Sequence, residues 1–155
     1  MPRVVLFEPE IPPNTGNVAR TCAAMAVELH LVEPLGFELS DRTLRRAGLD
    51  YWPYVRLERH PSWSSFRAAR AHDDGRLLGL TSRGGEIYHQ HRFQASDWLL
   101  FGRETTGLPA DVKGECDNLL TVPMIEPGVR CLNLASAVAI VLSEALRQLQ
   151  NPLHD

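Results

Sequence analysis

With 155 residues, 44% of them apolar, the chain has room for one domain with a real core and little room for a second. No run approaches the roughly 20 apolar residues that cross a bilayer, and no basic-then-apolar export signal opens the sequence, so a soluble, cytoplasmic protein with no membrane partner is expected. A formal net charge of −3 excludes a broad positive field that coats nucleic acid, so any RNA contact must be local.

The hydrophobic periodicity predicts alternating strands and helices. Arg3 to Glu8 reads as a short buried strand, ended by a loop from Pro9 to Gly16 whose three prolines cannot continue a ladder. A helix is expected from about Asn17, with Val18, Cys22, Met25 and Ala26 at helical spacing, and Glu28 to Val32 follows as a second strand. Ser40 or Asp41 can cap a short helix through Ala47, Tyr54 to Leu57 can form a strand, and Ser62 can cap a helix through about Ala71. Leu77 to Thr81, Trp98 to Phe101 and Leu119 to Val122 suit buried strands, and Asn133 to Gln150 is the longest helix candidate. This alternation predicts an α/β fold with a mainly parallel sheet flanked by helices, in one domain over residues 1–155. The first half of the last helix is apolar on more than one side, which a dimer interface or burial inside the monomer would each explain.

Three cysteines, Cys22, Cys116 and Cys131, lack CxxC spacing and suggest neither a disulfide framework nor a zinc knuckle. His89 and His91 have no nearby cysteine or acidic partner and read as surface histidines, so no metal is expected. Fifteen of the sixteen basic residues are arginine, which suits fork-shaped recognition of phosphate and which a GC-rich genome also produces.

Three loop segments carry the polar chemistry. Pro12 to Asn17 leads into a helix with Arg20 expected on its first turn, where free backbone N–H groups and a guanidinium could hold a phosphate; helix capping by Asn14, Thr15 or Asn17 beside a solvated Arg20 is the plainer alternative. Gly102 to Pro109 follows a buried strand and places Glu104 at its carboxyl end, where α/β sheets bind ligands, although Glu104 could equally be an exposed cap on a glycine turn. Leu108 and Pro109 stand where a phosphate loop needs Lys and Ser or Thr, so an NTPase is rejected, and no GxGxxG follows the first strand. The third segment joins Val122-Pro123-Met124 to Arg130-Cys131-Leu132-Asn133-Leu134, a polar loop between a buried strand and an apolar helix, for which ligand binding supplies a reason. Arg42, Arg45 and Arg46 on neighbouring helical positions, followed by Asp50-Tyr51-Trp52, suit phosphate contact and base stacking, or form a solvated helix face.

In order and spacing these segments resemble the three motifs of SPOUT methyltransferases. More narrowly, with Glu8 to Pro13 and Leu44 to Tyr51 included, nearly the whole chain is similar to the small tRNA 2'-O-methyltransferases that act on the wobble nucleotide, cytidine or 5-carboxymethylaminomethyluridine at position 34. The resemblance implies a C-terminal deep trefoil knot, S-adenosyl-L-methionine as cofactor against Leu80, Gly102, Val122, Cys131 and Leu132, a tRNA anticodon stem-loop as partner, and a homodimer. Periodicity alone would favour an ordinary open sheet, because knots are essentially absent among folds. It further implies catalytic roles for Arg20, Asn14, Glu104 and Asn133, and RNA contacts through Arg20, Arg45 and Arg46. A guanidinium keeps its proton across the accessible pH range, so Arg20 is expected to grip phosphate and orient the ribose hydroxyl rather than serve as a free-standing base. Cys131 stands where many relatives have Ser, so backbone rather than side-chain contact is expected there. A non-catalytic RNA-binding module with a knotted fold, or 2'-O-methylation at another RNA site, are the competing readings.

Overall fold

The structure, a computed structural model, describes residues 1–38 and 49–150. Among these residues seven strands form one parallel sheet: β1 (Arg3–Phe7), β2 (Glu28–Val32), β3 (Arg56–His60), β4 (Leu77–Leu80), β5 (Glu86–Ile87), β6 (Trp98–Phe101) and β7 (Asn118–Thr121), in the order β3-β2-β1-β6-β4-β7-β5. Among the described residues the helices are α1 (Pro12–Ala24), α2 (Trp63–Ala69), α3 (Ala110–Gly114) and α4 (Leu134–Leu149), with short 3-10 helices at Leu49–Tyr54 and Tyr88–Gln90.

The central strands are apolar on both faces, as a parallel sheet covered on two sides requires. Alternate residues sort by face. Val4, Leu6, Leu29, Leu31, Leu78, Leu99, Phe101 and Leu120 join Val18 and Cys22 of α1 and Val138, Val141 and Leu142 of α4 in one core. Val5, Phe7, Val32, Leu77, Trp98 and Leu100 pack with Phe66 of α2 and Val112 of α3 in the other. Burying each such side chain contributes about 1.5–3 kcal/mol, so the two-period alternation fixes both register and layer order. At the sheet edge β3 carries exposed Arg56, Glu58 and Arg59, which discourages further strand addition.

Several boundaries depart from the sequence reading. Helix α1 begins at Pro12, not near Asn17: Pro12 and Pro13 occupy its first two positions, where their fixed φ fits a helix and their missing N–H groups would have had no intrahelical partner. Arg20 therefore lies in the third turn of α1, not the first. The β3 strand begins at Arg56 rather than Tyr54, because Tyr54 closes the preceding 3-10 helix and the pairing runs from Glu28 with Arg56 to Val32 with His60. Helix α3 and the two-residue β5 were not anticipated. The helix expected through Ala47, with Arg42, Arg45 and Arg46, lies outside the described residues. Ser62 caps α2 as expected, its side chain accepting from Ser65 N at 3.1 Å.

His91 is buried rather than on the surface, its Nδ1 3.0 Å from a Glu86 carboxylate oxygen and its ring edge-on to Phe93. No helix among the described residues is long and apolar enough to cross a membrane.

Candidate active site

The sheet order reverses direction beside β1: the chain builds β1, β2 and β3 outward to one side, then crosses to β4 and returns to insert β6 between β1 and β4. The crevice outside the carboxyl ends at such a reversal is where open α/β sheets hold ligands. All three polar segments of the sequence meet at that end.

The first two are clasped by reciprocal bonds. Both carboxylate oxygens of Glu104, three residues past β6, accept backbone N–H groups just before α1, from Glu10 at 2.8 Å and Ile11 at 3.1 Å. In the opposite direction Glu10 accepts from Thr105 N at 3.1 Å and Thr105 Oγ1 at 2.7 Å, bonds that hold its carboxyl below the ordinary value. Arg103 pairs with Glu8 at 2.6 Å and lies over the Phe7 ring. Glu8 itself adopts the left-handed region, with φ 46°, at the point where β1 ends.

Those contacts correct one expectation. The start of α1 is not an open anion cradle: Pro12 and Pro13 have no N–H, the Asn14 and Thr15 N–H groups turn back to the Ile11 carbonyl, and Glu104 takes the two donors before them. Glu104 is thus the cap that α1 lacks locally, since Ile11 at the N-cap has no side-chain acceptor. Neither Asn14, Thr15 nor Asn17 caps the helix.

The third segment reaches the same place through Asn133. Its Oδ1 caps α4 by accepting from Ala135 N at 2.9 Å and Ser136 N at 3.4 Å, while its Nδ2 donates to Asn14 Oδ1 at 3.0 Å. Asn14 is buried, and its Nδ2 is left without a partner among the described residues. Along α1 the exposed positions Pro13, Asn17, Arg20 and Ala24 form one face, so Arg20 projects outward from the helix that Asn14 anchors. The Arg20 guanidinium faces the Tyr51 ring, 5.7 Å from its Cζ to the ring centroid, and among the described residues it forms no hydrogen bond or ion pair.

Leu80, Gly102 and Val122 stand at the carboxyl ends of the adjacent strands β4, β6 and β7, each within one residue of where its strand stops. Leu80 and Val122 are half-buried against the core that contains Leu134. Gly102 has no room for a side chain: a Cβ would lie 2.3 Å from the Gly107 carbonyl carbon and 2.4 Å from Leu108 N, because the loop from Arg103 to Gly107 folds back in a two-bond bridge. Gly107 takes φ +69°. Cys131 is exposed and Leu132 half-buried in the segment before α4. Leu80, Gly102 and Val122 thus line the carboxyl ends of three adjacent strands, on the same side of the sheet as the Glu104 and Asn133 contacts.

A second polar cluster sits on the opposite sheet face. His30, Glu58 and His60 bring potential metal-ligand atoms within 4.8 Å of one another. Yet His30 Nδ1 and His60 Nε2 are 2.9 Å apart with rings 9° from parallel and centroids 5.2 Å apart, so the rings meet edge to edge and the two nitrogens point at each other. That is a shared N–H···N hydrogen bond between β2 and β3; lone pairs meeting head-on at this distance cannot converge on one ion.

Comparison with known proteins extends this geometry. The model of the SpoU rRNA Methylase family matches residues 1–143. A tRNA (cytidine(34)-2'-O)-methyltransferase of Burkholderia ambifaria is 51% identical over 146 residues, 94% of each chain. A solved structure concerned with the 2-OH methylation of C/U34 on tRNA superposes with a TM-score of 0.92 at 48% identity, covering 97% of each chain. A SpoU methyltransferase from Streptomyces viridochromogenes, in complex with the cofactor AdoMet, superposes at 0.84 with 25% identity, covering 97% of this chain and 61% of that one.

Proposed function

Because the chain belongs to the SpoU methylase family, we propose that it is a tRNA 2'-O-methyltransferase that moves the methyl group of S-adenosyl-L-methionine to the ribose of wobble nucleotide 34, cytidine or modified uridine. The observation that carries this reading is near-complete coverage, in both directions, of a half-identical relative with that named activity.

S-adenosyl-L-methionine supplies an electrophilic sulfonium methyl, so the chain's own tasks are to align the attacking 2'-hydroxyl and to manage its proton. Leu80 and Val122 enclose the adenosyl group, and the backbone at Gly102, Cys131 and Leu132 contacts it. Arg20 grips the phosphate beside the target ribose and orients the hydroxyl, with its planar donor fork suited to both. The unpartnered Nδ2 of Asn14 offers the ribose a second donor. Glu104 and Asn133 act as positioning residues: their polar atoms are engaged in fixing α1, which carries Asn14 and Arg20, and the start of α4, which directly follows Cys131 and Leu132.

The carboxyl-terminal segment from β7 through α4 is threaded as a trefoil knot, a reading supported by the inward return of β6 and by the family. Ile125, at 99% exposure, and Val129, both in the segment between β7 and α4, and Ile11 before α1 are exposed apolar residues on chain segments next to the proposed site; a second copy of the chain covers them, giving a homodimer with one domain per protomer. Arg45 and Arg46 contact the anticodon stem-loop. To test the activity, purified protein is incubated with radiolabelled S-adenosyl-L-methionine and total unmodified tRNA, and the labelled nucleotide is mapped. A 2'-O-methyl group at nucleotide 34 supports the reading; label elsewhere, or none, overturns it.

A further inference from the structure

We propose that Tyr51 is the positioning residue for Arg20, holding both the helical peptide from which Arg20 springs and the guanidinium itself. The inference rests on the role of Arg20 in the proposed methyl transfer. Tyr51 sits in the 3-10 helix Leu49–Tyr54, half-buried against the core that α1 helps to form. Its hydroxyl donates to the Gly16 carbonyl at 3.3 Å. In an α-helix that carbonyl is also the acceptor for the N–H of the residue four places on, which is Arg20. The second lone pair of one peptide oxygen therefore ties the Tyr51 hydroxyl to the turn that presents Arg20.

The ring completes the arrangement. Arg20 is exposed and, among the described residues, has no hydrogen-bonding or carboxylate partner; its Cζ lies 5.7 Å from the Tyr51 ring centroid, within the range of a cation–π contact. A long exposed arginine otherwise samples many rotamers, and the cost of ordering it would fall on the reacting complex. An aromatic face restricts the guanidinium without consuming any of its five N–H donors, so the fork stays available for phosphate and ribose. A carboxylate in the same place would hold Arg20 more tightly and take those donors away. Tyr51 is thereby distinct from Glu104, which fixes backbone, and from Asn133, which caps α4 and holds Asn14; neither contacts Arg20.

Replacing Tyr51 with Leu and with Phe separates ring from hydroxyl. Under single turnover, Tyr51→Leu is expected to lower the methyl-transfer rate about tenfold and Tyr51→Phe about threefold, with the dissociation constant for S-adenosyl-L-methionine within about twofold of the parent in both. The Arg20 side-chain N–H resonance, assigned through Arg20→Lys, should show an aromatic ring-current shift in the parent and in Tyr51→Phe that disappears in Tyr51→Leu. A Tyr51→Leu protein that transfers methyl at the parental rate, or whose rate, cofactor affinity and melting temperature fall together, overturns the proposal. So does an Arg20 resonance unchanged across the three proteins. A parent that methylates no tRNA sinks the proposed activity instead, and the resonance measurement still decides whether Tyr51 holds Arg20.

Discussion

Asn133 Nδ2 donates to Asn14 Oδ1 at 3.0 Å, a side-chain bond that spans 119 residues and ties the start of α4 to the first turn of α1. The same Asn133 caps α4 through its Oδ1, so one amide joins two helix termini. Asn133→Ala removes both functions and leaves the buried Asn14 oxygen without its donor, at a cost of about 1–3 kcal/mol. Asn133→Asp keeps the cap, and a flip of the Asn14 amide restores a bond, so it should lose less. Urea denaturation checks the order; equal loss in the two variants contradicts the dual role.

The two glycines of the loop after β6 are predicted to fail differently. Gly102→Ala drives a methyl into the Gly107–Leu108 backbone and cannot be accommodated without moving the loop, so about 2–4 kcal/mol of stability and at least tenfold of cofactor affinity should go. At Gly107 a Cβ meets nothing within 4 Å, and only the left-handed φ of +69° is strained, worth about 1–2 kcal/mol. Calorimetric titration of S-adenosyl-L-methionine into both variants measures the difference. If Gly107→Ala is the more damaging, the backbone-contact account of Gly102 is wrong.

Thiol chemistry reports on the segment before α4. Burial pushes the Cys22 thiol up to about 12 and, with Asp117 and Glu115 nearby, the Cys116 thiol up to about 11, whereas Cys131 is exposed. Iodoacetamide at pH 8 should therefore modify Cys131 first, since the thiolate is the reactive form. Saturating S-adenosyl-L-methionine should slow that modification. Alkylation of Cys131 at the same rate with and without cofactor would remove residue 131 from the cofactor contacts.

The His30–His60 bond makes stability depend on pH near neutrality. Burial, then the adjacent His30, lowers the His60 pKa, partly opposed by Glu58, so the folded state takes up its proton less readily than the unfolded chain. Stability is then fully present above about pH 6.5, the ordinary histidine value, and is lost as the pH falls below it. Melting temperature should drop between pH 7 and 5.5, above the range in which the low-lying carboxylates of Glu10 and Asp73 titrate. His60→Gln, which can still donate to His30, should flatten that slope; an unchanged slope excludes the pair as its source.

The apolar runs of β1, β2 and β6 made a parallel α/β sheet legible in the sequence, because strands buried on both faces need little beyond those runs. What escaped the reading lay in partners distant along the chain. Pro9 to Gly16 has the composition of a loop, yet the second half of it is helix, since the cap for α1 comes from Glu104, 94 residues from the backbone it caps. His91 is the exception in range: its partner Glu86 is five residues before it, and the 3-10 turn Tyr88–Gln90 between them brings the two side chains together. The His30–His60 bond joins two strands and carried no local pattern at all. Arg20, Asn14, Glu104 and Asn133 were each visible as polar residues in glycine- and proline-rich segments; that Glu104 and Asn133 spend their polar atoms on backbone and on one another's neighbours became apparent only in three dimensions.

The central claim is methyl transfer to one ribose oxygen, and the most direct measurement uses an anticodon stem-loop of tRNA made in two forms that differ only at nucleotide 34, one with ribose and one with 2'-deoxyribose. Incubated with the protein and labelled S-adenosyl-L-methionine, the ribose form should take up one methyl group per molecule and the deoxy form none. Equal labelling of the two would place the methyl group somewhere other than the 2'-oxygen of nucleotide 34 and contradict the account.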